Sequence, residues 1–283
     1  MEHLSGLAPL VPRFDGYIID LWGVVHDGVR PYPGAIDCLA RLKAAGKRAV
    51  LLSNAPRRAA VAQAAMRAMG IPDDLYFGIL TSGEATHQML AARTDPFLAA
   101  LGRRMVHLGP ETDRNVYEGL DLEVVDSPEA ADFVLNTGPD ETRGLLDLGP
   151  YEDLLQRMRA RDLPMVCANP DLEVIRGGVP TICAGTLAQR YETLGGRVRW
   201  IGKPDPAVYQ PVLALLDCPR ERVLAIGDAL RTDIVGAKAA GVASAWVLGG
   251  IHNALLGDPK AAERAAAEEG LTPIATLPAL RWE

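Results

Sequence analysis

The sequence predicts an α/β fold in which a doubly wound parallel sheet carries a second, inserted α/β domain. Strand-like and helix-like segments alternate near the start of the chain and again near its end. Alternation with apolar strands is typical of a parallel sheet with helices on both faces. A middle stretch of roughly a hundred residues separates the two blocks, which is enough for a domain of its own. We therefore predict a Rossmann-like core, 1–79 and 181–283, interrupted by an inserted domain, 80–180.

Each predicted element rests on a local pattern. Short apolar runs bounded by turn residues predict buried strands, and apolar residues at helical spacing followed by glycine predict helices. The first block contains strands at Tyr17–Ile19 and 48–53 and helices through Ile36–Lys43 and Arg57–Met69. The last block contains strands at 198–202, 222–228 and 242–249 and helices at Ala207–Leu216 and Asp233–Ala240. The middle contains strands at 105–109, 132–138 and 164–169.

Composition excludes several classes of function. The 283 residues are 48% hydrophobic and 23% charged, with a formal net charge of −7. An acid-rich surface repels nucleic acids and anionic membranes, so neither is an expected partner. The start shows no basic-then-apolar signal pattern, and no stretch approaches the roughly 18 apolar residues of a spanning helix. The four scattered cysteines are typical of reduced thiols, and we expect a cytoplasmic protein.

Polar residues follow four of the predicted core strands, at the edge where open parallel sheets bind ligands. Taken singly, each has a structural explanation as a turn residue, a helix cap or a surface charge. Together they suggest phosphoryl transfer, because a carboxylate nucleophile and a phosphate ester are both anions and need positive charge between them. Two aspartates could hold Mg²⁺, and a lysine could bind phosphoryl oxygens. The residues are Asp20, Ser53 with Asn54, Lys203 and Asp228.

Four motifs resemble those of the haloacid dehalogenase superfamily of aspartate-nucleophile phosphatases. They are "DLWGVVHDG", "LLSNAPRR", "GKPDP" and "GDALRTDIVGAKAAG". The inserted region and "CANPD" resemble the class IIA branch, which contains sugar-phosphate and 4-nitrophenyl phosphatases and has a large α/β cap. The resemblance covers nearly the whole chain. It implies a Mg²⁺-dependent enzyme acting on a small phosphorylated metabolite, and it allows a homo-oligomer, since related proteins often pair through the cap.

The resemblance also implies residue roles. Asp20 would be the nucleophile and a metal ligand, and Lys203 would neutralise charge on Asp20 and on the phosphoryl group. Ser53 and the Asn54 amide would bind that phosphoryl group. The metal ligands would be Asp20, the carbonyl of Trp22 and Asp228, with Asp233 acting through a metal-bound water. In the cap, Asn169 and Asp171 would contact the substrate.

Trp22 departs from the phosphatase pattern. Phosphatases of this superfamily usually have an aspartate two places after the nucleophile, serving as general acid and base, and an indole cannot shuttle protons. General acid–base catalysis is typically worth about 10²–10⁴-fold. We therefore expect a preference for leaving groups that need no proton. His26 is a candidate substitute acid, whereas Asp27 is typical of a solvated turn, and Trp22 could also contact the substrate.

Two alternatives stay open. Haloacid dehalogenases also have an aromatic residue at this position and need no metal, but they lack the acidic ligand that Asp228 supplies here. The chain could also be a phosphometabolite-binding protein without turnover. Retention of Asp20 argues against this, because a phosphate binder gains nothing from an anionic nucleophile. The phosphohydrolase is therefore the preferred hypothesis.

Overall fold

A computed structural model describes residues 1–176 and 179–283. Within these ranges the chain forms two compact units. The first contains Met1–Ser53, Gln63–Leu80 and Lys203–Glu283, and the second contains Asn54–Ala62 and Thr81–Gly202. Among the residues described, no helix is both long and apolar enough to cross a membrane.

The elements follow one another in the alternating order that the sequence predicts. The chain begins with β1 (Glu2–His3), β2 (Gly16–Ile19), α1 (Ala35–Ala44), β3 (Arg48–Ser53), α2 (Ala59–Ala68) and β4 (Gly78–Thr81). The middle contains α3 (Ser82–Ala92), α4 (Pro96–Ala99), β5 (Arg104–Leu108), β6 (Glu123–Val124), β7 (Phe133–Asn136), α5 (Glu152–Ala160), β8 (Met165–Cys167), β9 (Glu173–Arg176), β10 (Val179–Ile182), α6 (Ala184–Thr193) and β11 (Val198–Trp200). The last part contains α7 (Pro206–Leu216), β12 (Val223–Gly227), α8 (Val235–Ala240), β13 (Ala243–Val247), α9 (Pro259–Glu268) and β14 (Ala275–Leu277).

The first unit is built on a seven-stranded sheet, in the order β1-β14-β13-β12-β2-β3-β4. The pairs from β1 through β3 are parallel. The chain leaves β2 toward β3 on one side and leaves β12 toward β13 on the other, so the winding direction reverses between β2 and β12. Ligands of open α/β sheets bind at such a reversal, beyond the carboxyl ends of the strands. The predicted doubly wound parallel sheet is thereby confirmed.

The strands of this sheet are apolar because helices flank the sheet and leave little of it in water. Tyr17, Ile19, Leu224 and Ile226 are at most 2% exposed and belong to one apolar cluster. This continuous burial explains why each strand is a run of apolar residues without polar alternation. It also makes the first polar residue after each strand informative, since that residue lies where the buried sheet ends.

The second unit contains a parallel five-stranded sheet, in the order β11-β8-β7-β5-β6, and an antiparallel pair, β9 with β10. Its extent corrects the predicted boundary, because 181–202 lies here and not in the first unit. The sequence predicts β11 in the core sheet, whereas β11 pairs with β8, with Val198 opposite Met165. Helix α6 packs in the apolar cluster of the same unit through Leu187 and Tyr191. The segment 54–62 also belongs to this unit.

Candidate active site

Asp20 lies directly after β2, at the reversal point of the seven-stranded sheet. Its backbone N–H donates to the carbonyl of Ile226 on β12 at 2.9 Å, which continues the ladder one step past the end of β2. The residue is 7% exposed. The sheet thus holds this carboxylate on a rigid element beside the carboxyl end of a strand that is about two hundred residues away in the chain.

Lys203 joins two of the predicted carboxylates. Its Nζ donates to Asp20 Oδ1 at 2.5 Å and to Asp233 Oδ1 at 2.7 Å. The Lys203 side chain is 4% exposed, and the two carboxylates are 8% and 7% exposed. A buried ammonium is stable only when it is paired in this way. Lys203 is therefore not the solvated surface charge that its residue type would suggest.

Asp228 and Asp233 complete the cluster. Asp228 directly follows β12, and Asp233 lies in the π-helical turn Leu230–Ile234 that comes next in the chain. One carboxylate oxygen from each of Asp20, Asp228 and Asp233 lies within 4.8 Å of the others, and the three residues are buried. The second carboxylate oxygen of Asp233 accepts the Ala229 N–H at 3.1 Å. The structure thus brings together four of the residues predicted from strand ends and motifs.

Glycines leave the space that Asp228 occupies. A Cβ at Gly23, where φ is +84°, would lie 2.1 Å from Asp228 Oδ2, and a Cβ at Gly250 would lie 1.9 Å from the same atom. The Ile251 N–H donates to this oxygen at 2.9 Å, and Trp246 Nε1 donates to the Asp228 carbonyl at 2.9 Å. Sequence reasoning missed Trp246, Gly250 and Ile251. In the sequence, only the "GG" after β13 indicated that the backbone comes close to another group there, which in the structure is the Asp228 carboxylate.

The electrostatics of the cluster favour a divalent cation. Three carboxylates face one ammonium, so two negative charges remain when all four groups are ionised. Burial raises the pKa of Asp20 well above its usual range, Lys203 opposes this rise, and the carboxylates of Asp233 and Asp228 add to it. Carboxylate oxygens are the donors that Mg²⁺ and Ca²⁺ prefer. A dication would relieve this repulsion, so the residues present fit a bound metal.

The predicted phosphate and substrate residues lie in two places. Ser53 ends β3 in the first unit and is 4% exposed. Asn54 belongs to the second unit, where its Nδ2 donates to Asp171 Oδ1 at 2.9 Å. The Asp171 N–H in turn donates to Asn169 Oδ1 at 3.0 Å. Asn54, Asn169 and Asp171 therefore form a hydrogen-bonded chain, a contact that no local sequence pattern predicts.

Trp22 and His26 pack together in the turn after Asp20. Their ring centroids are 5.8 Å apart in an edge-to-face arrangement. The indole lies over Gly28, where φ is +86° and a Cβ would come within 2.2 Å of the ring. His26 Nδ1 accepts the Gly28 N–H at 3.1 Å, which leaves Nε2 as the protonated nitrogen of the neutral ring. Burial lowers the pKa of His26 to about 4.

Asp27 has the structural role that its sequence context predicted. Its Oδ1 accepts the N–H groups of Val29 at 2.9 Å and Arg30 at 2.8 Å, as a turn carboxylate does. These backbone hydrogen bonds lower the pKa of Asp27. The side chain is committed to the turn, which argues against Asp27 as a substitute acid.

Comparisons with known proteins identify the family. The chain is 35% identical to a haloacid dehalogenase-like hydrolase of Brucella suis of known structure, with a TM-score of 0.85, over 98% of this chain and 99% of that chain. The chain belongs to the haloacid dehalogenase-like family. Profiles described as haloacid dehalogenase-like hydrolase and HAD-hydrolase-like match residues 17–123 and 200–272 of this hydrolase.

Named phosphatases are among the relatives of this haloacid dehalogenase-like hydrolase. D-glycerol 3-phosphate phosphatase of Mycobacterium tuberculosis is 31% identical over 250 residues, which are 87% of this chain and 66% of that protein. A solved glycerol phosphate phosphatase of the same organism, in complex with magnesium, is 26% identical with a TM-score of 0.64, over 91% of this chain and 74% of that chain. That phosphatase thus binds magnesium.

Proposed function

We propose that this chain is a Mg²⁺-dependent phosphohydrolase that acts on a small phosphorylated metabolite through a phosphoaspartyl intermediate on Asp20. The observation that carries the proposal is the buried Lys203 bridge, 2.5 Å to Asp20 and 2.7 Å to Asp233, beside a third carboxylate at Asp228. A mere phosphate-binding pocket would not place an anion where another anion must bind. The named phosphatases among the relatives support the same reaction class.

The reaction proceeds in two steps. A carboxylate oxygen of Asp20 attacks phosphorus, forming an O–P bond while the bond from phosphorus to the leaving oxygen breaks. Water then attacks the phosphoaspartyl phosphorus, the Asp20 O–P bond breaks, and inorganic phosphate leaves with Asp20 restored. Lys203 orients Asp20 and offsets negative charge as the transferred group approaches. Asp20, Asp228 and the Trp22 carbonyl would hold Mg²⁺, which would lower the electrostatic repulsion between nucleophile and phosphate.

Trp22 would shape the choice of leaving group. The indole N–H is a hydrogen-bond donor that does not transfer its proton near neutral pH, so alkyl phosphates would suffer a loss of about 10²–10⁴-fold, or roughly 3–5 kcal/mol. Aryl, acyl and anomeric phosphates leave as stable anions and would suffer little. His26 Nε2–H is the candidate donor in this turn, and replacement of His26 tests its contribution.

The second unit would supply specificity as a cap. Asn169 and Asp171 remain the candidate substrate contacts, and their hydrogen bonds with each other and with Asn54 would hold them in one arrangement. Glycerol phosphate, for which these relatives are named, is an alkyl phosphate, so its hydrolysis should be assayed beside that of an aryl phosphate to measure the loss expected from Trp22. Asp171→Asn and Asn169→Ala should alter KM for the preferred substrate more than kcat.

The deciding experiment measures hydrolysis of 4-nitrophenyl phosphate with Mg²⁺, with EDTA, and in two variants. Asp20→Asn should abolish turnover, and EDTA should do the same reversibly. Asp27→Asn is the matched control, because it removes a carboxylate from the same turn that we assign to structure. Halide release from a haloacid without metal would instead support a dehalogenase. Tight binding of phosphate esters without turnover would support a binding protein.

A further inference from the structure

A cavity of about 220 Å³ lies in the first unit, and none of Asp20, Asp228 and Asp233 lines it. Ile234, at the end of the π-helical turn Leu230–Ile234, and Lys238 of α8 line it. The start of β13 and the Leu271–Thr272 segment also line it. The volume corresponds to roughly seven water molecules at about 30 Å³ each. It suits a ligand of a few carbon atoms with one polar end.

The polar side chains that line this cavity are Lys238, Ser244 and Thr272. Ser244 is 7% exposed, and its hydroxyl can donate a hydrogen bond to an anion. Lys238 Nζ donates to the Gly270 carbonyl at 2.9 Å, which positions the ammonium and leaves two of its three N–H groups for a ligand. Within the described residues, no acidic side chain lines the cavity.

The cavity borders the turn that carries a residue of the candidate active site. Ile234 lines the cavity and directly follows Asp233, and both residues belong to the π-helical turn Leu230–Ile234. The N–H groups of Asp233 and Ile234 both donate to the Ala229 carbonyl, at 2.9 and 3.3 Å. The two residues thus share one backbone acceptor, which connects the lining of the cavity with the turn that carries Asp233. Single π-turns of this kind are frequent at functional sites.

We propose that this cavity is an effector site for a small organic anion, whose carboxylate binds Lys238 and Ser244 while its apolar part contacts Ile234 and Leu271. Occupancy stabilises the π-helical turn and thereby the position of Asp233. Only the catalytic consequence rests on the proposed function. Binding and the response of the turn do not depend on it.

The test uses 4,4,4-trifluorobutyrate as the probe, with fluorine NMR to measure binding to the full chain. We expect saturation with a dissociation constant on the order of 1 mM, as for a ligand of so few atoms. Lys238→Gln and Thr272→Leu, which fills the rim of the cavity, should each weaken binding at least about tenfold, and Ser244→Ala about two- to tenfold. Lys260→Gln is the matched control, since this exposed lysine does not line the cavity.

Hydrogen exchange of the Asp233 and Ile234 amides provides the second readout. Saturating probe should slow their exchange by about fivefold or more, at the low end of coupling between sites. Binding with this protection, lost in Lys238→Gln and kept in Lys260→Gln, supports the proposal even if the chain shows no phosphatase turnover. Absence of saturable binding, equal binding in all variants, or binding without altered exchange would overturn it.

Discussion

Removal of the buried ammonium at Lys203 should destabilise the first unit strongly. In Lys203→Met the stem of the side chain is retained, but two charge-assisted hydrogen bonds to Asp20 and Asp233 are lost, at 2.5 and 2.7 Å. Bonds of this kind contribute about 1.5–3 kcal/mol each. Breaking a buried ion pair costs about 3–5 kcal/mol, because the remaining charges stay desolvated. Both estimates indicate a loss of about 3–5 kcal/mol in the free energy of unfolding.

The assay is urea unfolding in EDTA, followed through tryptophan fluorescence, since Trp246 is fully buried in this unit. Lys43→Met is the matched control. Its ion pair with Asp74 has the same 2.7 Å length as the Lys203–Asp233 contact, but its side chains are 51% and 71% exposed. An exposed pair contributes about 0–1 kcal/mol. The two lysines therefore differ in burial and in the number of carboxylates that they pair with.

A double-mutant cycle with Asp233→Asn tests the electrostatic cause. Lys203→Met should cost about 1–3 kcal/mol less in the Asp233→Asn background, because one of the unpaired carboxylates is gone. A loss below about 1 kcal/mol in Lys203→Met, or additive effects in the cycle, would refute the reasoning that repulsion among buried carboxylates controls this site.

Three further predictions concern the metal, the indole and a buried histidine. Asp228→Asn should weaken Mg²⁺ binding, measured by calorimetry, at least about tenfold more than Asp233→Asn, which we place outside the inner ligand set; equal losses would contradict this assignment. Trp22→Asp should raise kcat most for alkyl phosphates and should flatten the dependence of kcat/KM on leaving-group pKa, with Trp22→Phe as the control. If the wild type hydrolyses alkyl and aryl phosphates at similar rates, another residue is the acid, and His26 is the first to replace. Burial lowers the pKa of His107 to about 4 from 6.5. As pH drops from 6.5 toward 4, the unfolded chain therefore protonates at His107 before the folded chain does, and the free energy of unfolding falls by about 3 kcal/mol at most. In urea unfolding compared between pH 7 and 4.5, His107→Gln should lose this part of the pH dependence; an unchanged pH slope would exclude His107 as the cause.

The sequence predicted the parts of the site that depend on strand ends. Asp20 and Asp228 meet because they follow β2 and β12, neighbouring parallel strands of one sheet. Lys203 was expected after a core strand, but it follows β11 of the other sheet, and Asp233 lies in the turn after β12, so only the motifs predicted these two residues. The boundary at 181 was wrong for a related reason: the apolar run of β11 resembles the strands of either sheet, and a pattern of burial does not say which sheet a strand joins.

Side-chain contacts between distant segments were not predictable in the same way. The hydrogen bond from Asn54 to Asp171 joins residues 117 positions apart, and only the folded chain determines it. The acceptor role of His26 Nδ1 depends on the left-handed conformation of Gly28, which sets the direction of one N–H. Such contacts decide which atom of a side chain is available for chemistry, and they require coordinates.

The pairing of β2 with β12 has a consequence for the newly synthesised chain. Strand β2 ends at residue 19 and β12 at residue 227. One edge of β2 therefore stays unpaired while about two hundred further residues are synthesised, which takes roughly 10–40 s at about 5–20 residues per second. During that time an apolar strand has an open row of hydrogen-bonding groups, a template for pairing with other chains. Nascent chains stalled before residue 223 should therefore aggregate or bind chaperones, whereas release after β14 should permit rapid closure of the sheet.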